Sequence, residues 1–168
     1  MLKGKRILIG VTGGIAAYKI PILVREFIKL GAEVKCILTP ASSDFVTPLS
    51  LATVSKNPVY SDLFDSKTGV WTNHVDLGLW ADAFVIAPLT ASSLAKMVVG
   101  HSDNLLLTTY LSARCPVFVA PAMDLDMYAH FSTQENLDKL KVNKNKDQEI
   151  QDSIAKAQSK MDFKKIMA

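Results

Sequence analysis

Arg6-Ile-Leu-Ile-Gly-Val11-Thr-Gly-Gly14-Ile-Ala-Ala-Tyr-Lys19 is the stretch on which the fold turns. Arg6 to Val11 is short, aliphatic and β-branched, which predicts a strand buried on both faces. Thr12-Gly13-Gly14 reads as a tight turn. Beyond it, apolar Ile20, Leu23, Val24, Phe27 and Leu30 recur at the spacing of one helix face, so a helix is expected from Ile15 to Leu30. Pro21 belongs in its first turn, and Gly31 is a good left-handed stop. Glu33 to Leu38 reads as a second strand, ended by Thr39-Pro40. Strand, turn, helix and strand in that order make a βαβ unit, whose crossover is right-handed.

The same grammar returns further along. Ala83 to Ala87 is a strand that Pro88 is expected to break, Thr90 to Val99 is helical with Gly100 behind it, and Asp103 can cap a further helix through Ala113. Val117 to Ala120 is another strand followed by proline. Asp62 to Trp80, holding both tryptophans, reads as a long, weakly periodic connection. Alternation of this kind predicts an α/β fold: a doubly wound, mostly parallel sheet with helices on both faces.

Length and composition bound the rest. A chain of 168 residues, 49% hydrophobic and 21% charged, is that of a folded domain and excludes disorder throughout. No apolar run approaches the ~18 residues of a membrane span, and the first residues lack the apolar core of a signal peptide. The expected setting is cytoplasmic, with no membrane partner. Cys36 and Cys115 are too few for a disulfide framework or a four-ligand zinc site, so both read as buried structural thiols and no metal is expected. The net charge of +3 divides unevenly: residues 1–140 carry 12 Lys/Arg against 12 Asp/Glu, whereas residues 141–168 carry 7 Lys against 4 acids. A neutral body argues against a nucleic-acid partner. The division gives a domain over 1–140 and a basic linker with a surface helix or tail over 141–168, the helix running from Gln148 to Met167.

In a doubly wound sheet, ligands collect outside the carboxyl ends of the strands. Small hydroxyl or glycine residues stand at each of these ends here. Gly13 and Gly14 open a helix, where unpaired amides and the positive dipole end suit a phosphate; an ordinary βα turn is the plainer alternative. The spacing Gly10-x-x-Gly13-Gly14 is neither GxGxxG nor a Walker loop. Thr39 stands where a ribose-binding acid would hold a nicotinamide dinucleotide, which favours a ligand with a single phosphate.

Several blocks, taken in order, carry a resemblance: Val11-Thr-Gly-Gly-Ile-Ala-Ala-Tyr-Lys19, His74-Val-Asp-Leu77, Ala81-Asp82, Val85-Ile-Ala-Pro88, Leu94-Ala-Lys-Met97, Asp103-Asn-Leu-Leu106 and Ala120-Pro-Ala-Met-Asp-Leu-Asp-Met127. From about Lys5 to Leu140 the chain resembles the phosphopantothenoylcysteine decarboxylase flavoproteins, FMN-dependent cysteine decarboxylases often found as the amino-terminal half of the bifunctional coenzyme A biosynthesis protein. The resemblance implies a flavodoxin-like sheet and FMN bound at a subunit interface, in a homotrimer that often builds a dodecamer. It implies FMN held by Gly13, Gly14, Ile15, Thr39 and the turn of Thr90, Ala91, Ser92 and Ser93, with Met123 and Met127 as flavin or substrate contacts. The substrate it implies is 4′-phosphopantothenoylcysteine, whose thiol is oxidised so that the carboxylate can leave. His74 matches the active-site histidine, an imidazole able to take a thiol proton near neutrality; His101 and His130 read as surface residues.

The chain departs from that family at three places. Asp124 stands where the family has an Asn that donates to the substrate carboxylate, and an ionised Asp only accepts. It is therefore either protonated there or altered in role. Ser92 and Ser93 replace the usual Asn and Thr. After Leu140 the family continues into a Gly-rich flap with a proton-donating cysteine, whereas residues 141–168 contain neither Gly nor Cys. Two other readings stay open. One is a non-catalytic FMN-binding regulatory or scaffold subunit. The other is a related flavoprotein that acts on peptidyl cysteine or transfers a prenyl group to flavin, although the His74 and Met-rich blocks speak against prenyl transfer.

Overall fold

Alternate side chains of the central strands enter two separate cores, one on each face of a sheet. The computed structural model describes residues 2–64, 69 and 71–141; the helix expected from Gln148 to Met167 lies outside them. Strands β1 (Arg6–Val11), β2 (Glu33–Leu38), β3 (Val59–Tyr60), β4 (Ala83–Leu89) and β5 (Val117–Pro121) lie in the order β3-β2-β1-β4-β5. Every pair is parallel. The expected doubly wound fold is therefore present. The winding direction reverses between β1 and β4, and that switch point fixes where a crevice opens at the strands' carboxyl ends.

On one face, Ile7, Ile9, Val11, Val34, Cys36 and Leu38 pack against α1 (Ile20–Lys29) and α2 (Pro48–Ser55), with Phe27 fully buried between them. On the other, Leu8, Ile37, Phe84 and Ile86 meet α3 (His74–Trp80), α4 (Ala91–Val99) and α5 (Leu105–Ser112). Leu137 of α7 (Phe131–Lys141) closes that side, and the short α6 (Leu125–Ala129) precedes it. Truncating a core aromatic such as Phe27 or Phe84 to alanine costs about 3–5 kcal/mol. Both faces are thus committed to helix packing, and only the strand ends are left for a ligand. Among the described residues, no helix is long and apolar enough to cross a membrane.

The structure departs from the sequence expectations at four elements. Ile15–Lys19 forms a 3-10 turn, and α1 starts only at Ile20, whose amide bonds Ala17 O three residues back. Pro21, with no N–H, cannot extend α-type bonding toward Ala17, which keeps the preceding turn tight. Pro88 does not end β4. The strand runs on to Leu89 with a register shift between Ile86 and Leu89, an irregularity of the kind at which a sheet accepts proline. Asn104 caps α5 through Leu107 N, while Asp103 bonds Lys96. The 62–80 connection ends in α3, and its earlier part carries an antiparallel backbone bridge between Phe64 and Trp71, whose rings stack.

Candidate functional site

The carboxyl ends of β1, β2, β4 and β5 form one rim, in which Thr12 ties the β1 end to β4 and α4. This residue is wholly buried; its Oγ1 donates to Pro88 O at 2.7 Å and accepts from Thr90 N at 3.0 Å. One hydroxyl therefore fixes the start of the β1 turn to the start of α4. Thr39 N donates to Val11 O at 3.0 Å, and Thr39 O accepts the Ser42 Oγ–H at 2.7 Å. These bonds lay the 3-10 segment Pro40–Asp44 across the β1 turn. Gly13 is required there: a Cβ on it would lie 2.6 Å from Ala41 Cβ and 2.9 Å from the Ala41 backbone.

Gly14 is different. Its backbone is extended, and a Cβ would meet Thr90 Cγ2 at 3.4 Å, an ordinary contact. Glycine at this position leaves space on the ligand side and relieves no internal clash. Ile15 follows it with an exposed side chain. Thr90 caps α4, its Oγ1 accepting from Ser93 N at 3.4 Å and donating to Ser93 Oγ at 3.3 Å. Ser93 is buried and Ser92 exposed. The amides of Ala91 and Ser92 belong to the first turn of a nine-residue helix, where no intrahelical acceptor exists. The β5 end is drawn in by Ala122 N, which donates to Leu89 O at 3.0 Å, and half-buried Met123 follows.

Asp124 caps α6, its Oδ1 accepting from Met127 N at 2.8 Å, and it is exposed. Asn and Asp are equally good caps, which gives the departure from Asn a structural reading: the side chain holds the turn behind Met123. His74 opens α3, which Asn73 caps by accepting from Val75 N and Asp76 N. A helix joining two parallel strands returns antiparallel to them, so its first residue lies toward the same carboxyl-end side. His74 Nδ1 is buried without a hydrogen-bond partner. Among the described residues, no hydrogen bond joins His74 to the Thr12 rim.

Neither thiol is activated. Burial pushes the Cys36 thiol up to about 12 and the half-buried Cys115 thiol up to about 11, so both stay protonated at neutral pH. His101 and His130 are exposed, as expected. Two residues of the rim escaped the sequence reading in their actual roles. Thr12 was visible only as part of the glycine turn, and Ser42 only as one of several hydroxyls. The signal at Thr12 was a small hydroxyl directly beyond a strand end, which does not by itself reveal a partner 76 residues away, and Ser42 bonds locally to Thr39 O.

One buried atom tests the fit of a cofactor. Thr39 Oγ1, at the β2 end, has no hydrogen-bond partner, although nearly all buried polar groups are satisfied. A polyhydroxyl or phosphate ligand seated at the rim supplies one. With the Gly14 space and the α4 amides beside it, the donor set fits a flexible phosphate-bearing chain.

Fold and rim together define a doubly wound α/β protein with hydroxyls and amides gathered at the switch point of its sheet. The chain belongs to the flavoprotein family, whose model matches residues 1–162. It is 46% identical over 136 residues to the coenzyme A biosynthesis bifunctional protein CoaBC of Haemophilus influenzae, covering 81% of this chain and 34% of that protein. A cysteine/cysteine sulfinic acid decarboxylase from an unknown prokaryotic organism is 62% identical over 96 residues, which is 57% of this chain and 27% of that one. The chain thus spans about a third or less of these curated relatives. Among solved structures, the FMN-dependent cysteine decarboxylase SpaF superimposes with a TM-score of 0.79 at 29% identity, covering 94% of this chain and 99% of SpaF. A PPC decarboxylase mutant complexed with pantothenoylaminoethenethiol gives 0.72 at 33% identity, covering 82% and 77%.

Proposed function

We propose that this chain is an FMN-dependent decarboxylase, a carboxy-lyase that acts on 4′-phosphopantothenoylcysteine in coenzyme A biosynthesis. The observation that carries the reading is the orphaned Thr39 Oγ1 at the sheet's switch point, in a chain that matches the flavoprotein half of CoaBC. Gly13, Gly14, Ile15, Thr39 and the turn of Thr90, Ala91, Ser92 and Ser93 hold the FMN phosphate and ribityl chain, with Met123 against the flavin or substrate. When bound, FMN supplies reversible two-electron oxidation of the substrate thiol, which turns the carbon chain into an electron sink for decarboxylation.

The protein's own part is to position and to move protons. Thr12 keeps the β1 and α4 turns at a fixed separation, so the ligand meets a preformed rim. His74 takes the thiol proton, which favours electron loss from sulfur. Asp124 holds the α6 turn and with it Met123. Its Oδ1 is committed to Met127 N, so the substrate carboxylate is bound by donors other than this side chain.

We further propose a cytoplasmic homo-oligomer built on threes. Leu125 and Phe131 are 79% and 75% exposed beside the half-buried edge strand β5, an apolar edge suited to a neighbouring copy. A second substrate class has one observation in its favour: the peptidyl-cysteine decarboxylase EpiD superimposes with a TM-score of 0.73 at 27% identity, covering 83% of this chain and 82% of that one, which supports a peptidyl cysteine as substrate. Flavin-loaded protein offered 4′-phosphopantothenoylcysteine, a cysteine-ended peptide and free cysteine separates these readings by which substrate yields CO₂. No CO₂ from any of them leaves an FMN-binding scaffold.

A further inference from the structure

Besides Thr39 Oγ1, two polar atoms among the described residues are buried without a partner: His74 Nδ1 on α3 and Thr109 Oγ1 on α5. The two helices bring them to one level. Leu106, near the start of α5, lies over Gly10 toward the end of β1, whereas the end of α5 leads into β5; α5 therefore runs against the strands. Leading into β4, α3 does the same, so the two helices are parallel. They touch closely at Gly78, where a Cβ would lie 3.3 Å from the backbone of Ser112 and Ala113. Residues four apart share a helix face. One turn toward the amino terminus, Gly78 gives way to His74 and Ala113 to Thr109. Thr109 is wholly buried, on the stripe that continues to Ala113.

We propose that Thr109 is a positioning residue for His74. His74 Nδ1–H donates to one water held in the α3–α5 seam, and that water donates to Thr109 Oγ1. This satisfies both orphaned atoms in the way buried polar groups that do not touch are usually satisfied. The bond fixes the imidazole in the Nδ1–H tautomer and leaves the Nε2 lone pair as the base. Of the α5 hydroxyls, Thr108 Oγ1 donates to Asn104 O and Ser112 Oγ to Thr108 O, whereas Thr109 Oγ1 is buried without a partner, which singles out Thr109 for the role. The inference rests on the reading of His74 as the base, but its structural half stands independently.

The test uses the flavin-loaded full chain with ring-labelled histidine. In the wild type, the ¹⁵N signals of His74 are expected to show Nδ1 protonated and Nε2 bare. Thr109→Val keeps the shape of the side chain and removes the hydroxyl. It is expected to retain flavin, lose the fixed tautomer and slow CO₂ release by about 10- to 100-fold, the weight of one hydrogen bond to a group that becomes charged. Thr109→Ser is expected to restore both readouts. Should the valine variant not fold, Thr109→Ala carries the same comparison. Unchanged His74 nitrogen signals in a folded Val or Ala variant overturn the proposal. Because the nitrogen signals need no substrate, they decide it even if the wild type releases no CO₂.

Discussion

Thr90 donates its backbone N–H to Thr12 Oγ1 across 3.0 Å, a bond between residues 78 apart that joins the β1 turn to the start of α4. The same oxygen donates onward to Pro88 O at 2.7 Å, so a single side chain satisfies two backbone groups of the second βαβ half. Thr12→Val leaves the half-buried Thr90 amide without its acceptor and leaves Pro88 O only the longer bond from Thr12 N at 3.4 Å. We expect a loss of about 1–3 kcal/mol, read from urea midpoints. Flavin retention should fall with it, while Thr12→Ser stays near the wild type.

The two glycines of the turn should behave differently. Gly13→Ala forces a Cβ to 2.6 Å from Ala41 Cβ and is expected to cost about 1–3 kcal/mol by overpacking. Gly14→Ala meets only Thr90 Cγ2 at 3.4 Å and should fold normally. If Gly14 leaves room for the ligand, its alanine variant is stable yet poor in flavin. A Gly14→Ala protein with full flavin content would return that glycine to an ordinary turn role.

His74→Asn should keep fold and flavin and lose CO₂ release by the ~10²- to 10⁴-fold typical of an acid–base group. Turnover equal to the wild type would make His74 a packing residue of the α3–α5 seam.

A fourth expectation concerns the opposite end of the sheet. Arg6 donates its backbone N–H to Asp82 Oδ2 at 2.8 Å and its guanidinium to Asp82 Oδ1 at 3.1 Å. The guanidinium beside it holds the Asp82 carboxyl below its ordinary value of 3.8. A carboxylate depressed in the folded state adds stability that is complete above the unfolded value and is lost as pH falls through the folded one. Asp82→Asn should therefore cost up to about 1 kcal/mol at neutral pH, as expected of a half-exposed pair. The difference should shrink below pH 3.8, measured by urea unfolding of both proteins across that range.

Much of this fold is legible in the sequence because its signals are local. The β1 run, the α1 stripe and the Gly31 and Gly100 stops each act within one element, and β1 and β2 fall where the periodicity puts them. Pro21 sits in the first turn of α1 as its chemistry predicts, though the helix starts only at Ile20; Pro88 misled, because its effect depends on its neighbours' bonding, here a strand irregularity. β3 was invisible, since two residues carry no period. At the site, the glycines and hydroxyls announced themselves through their place after strands. The Thr12 bonds, the Gly13–Ala41 approach and the meeting of His74 with the Thr109 level are tertiary, set by how distant strands and helices align, and no local pattern encodes them.

The central claim is that this rim seats FMN where a cysteine-derived carboxylate is released, and anaerobic incubation of the flavin-loaded 168-residue chain with 4′-phosphopantothenoylcysteine tests it most directly. Followed together, the flavin spectrum should bleach and CO₂ should appear in step with the bleaching. Flavin that stays fully oxidised, with no CO₂ released from protein shown to be folded and loaded, would contradict the account.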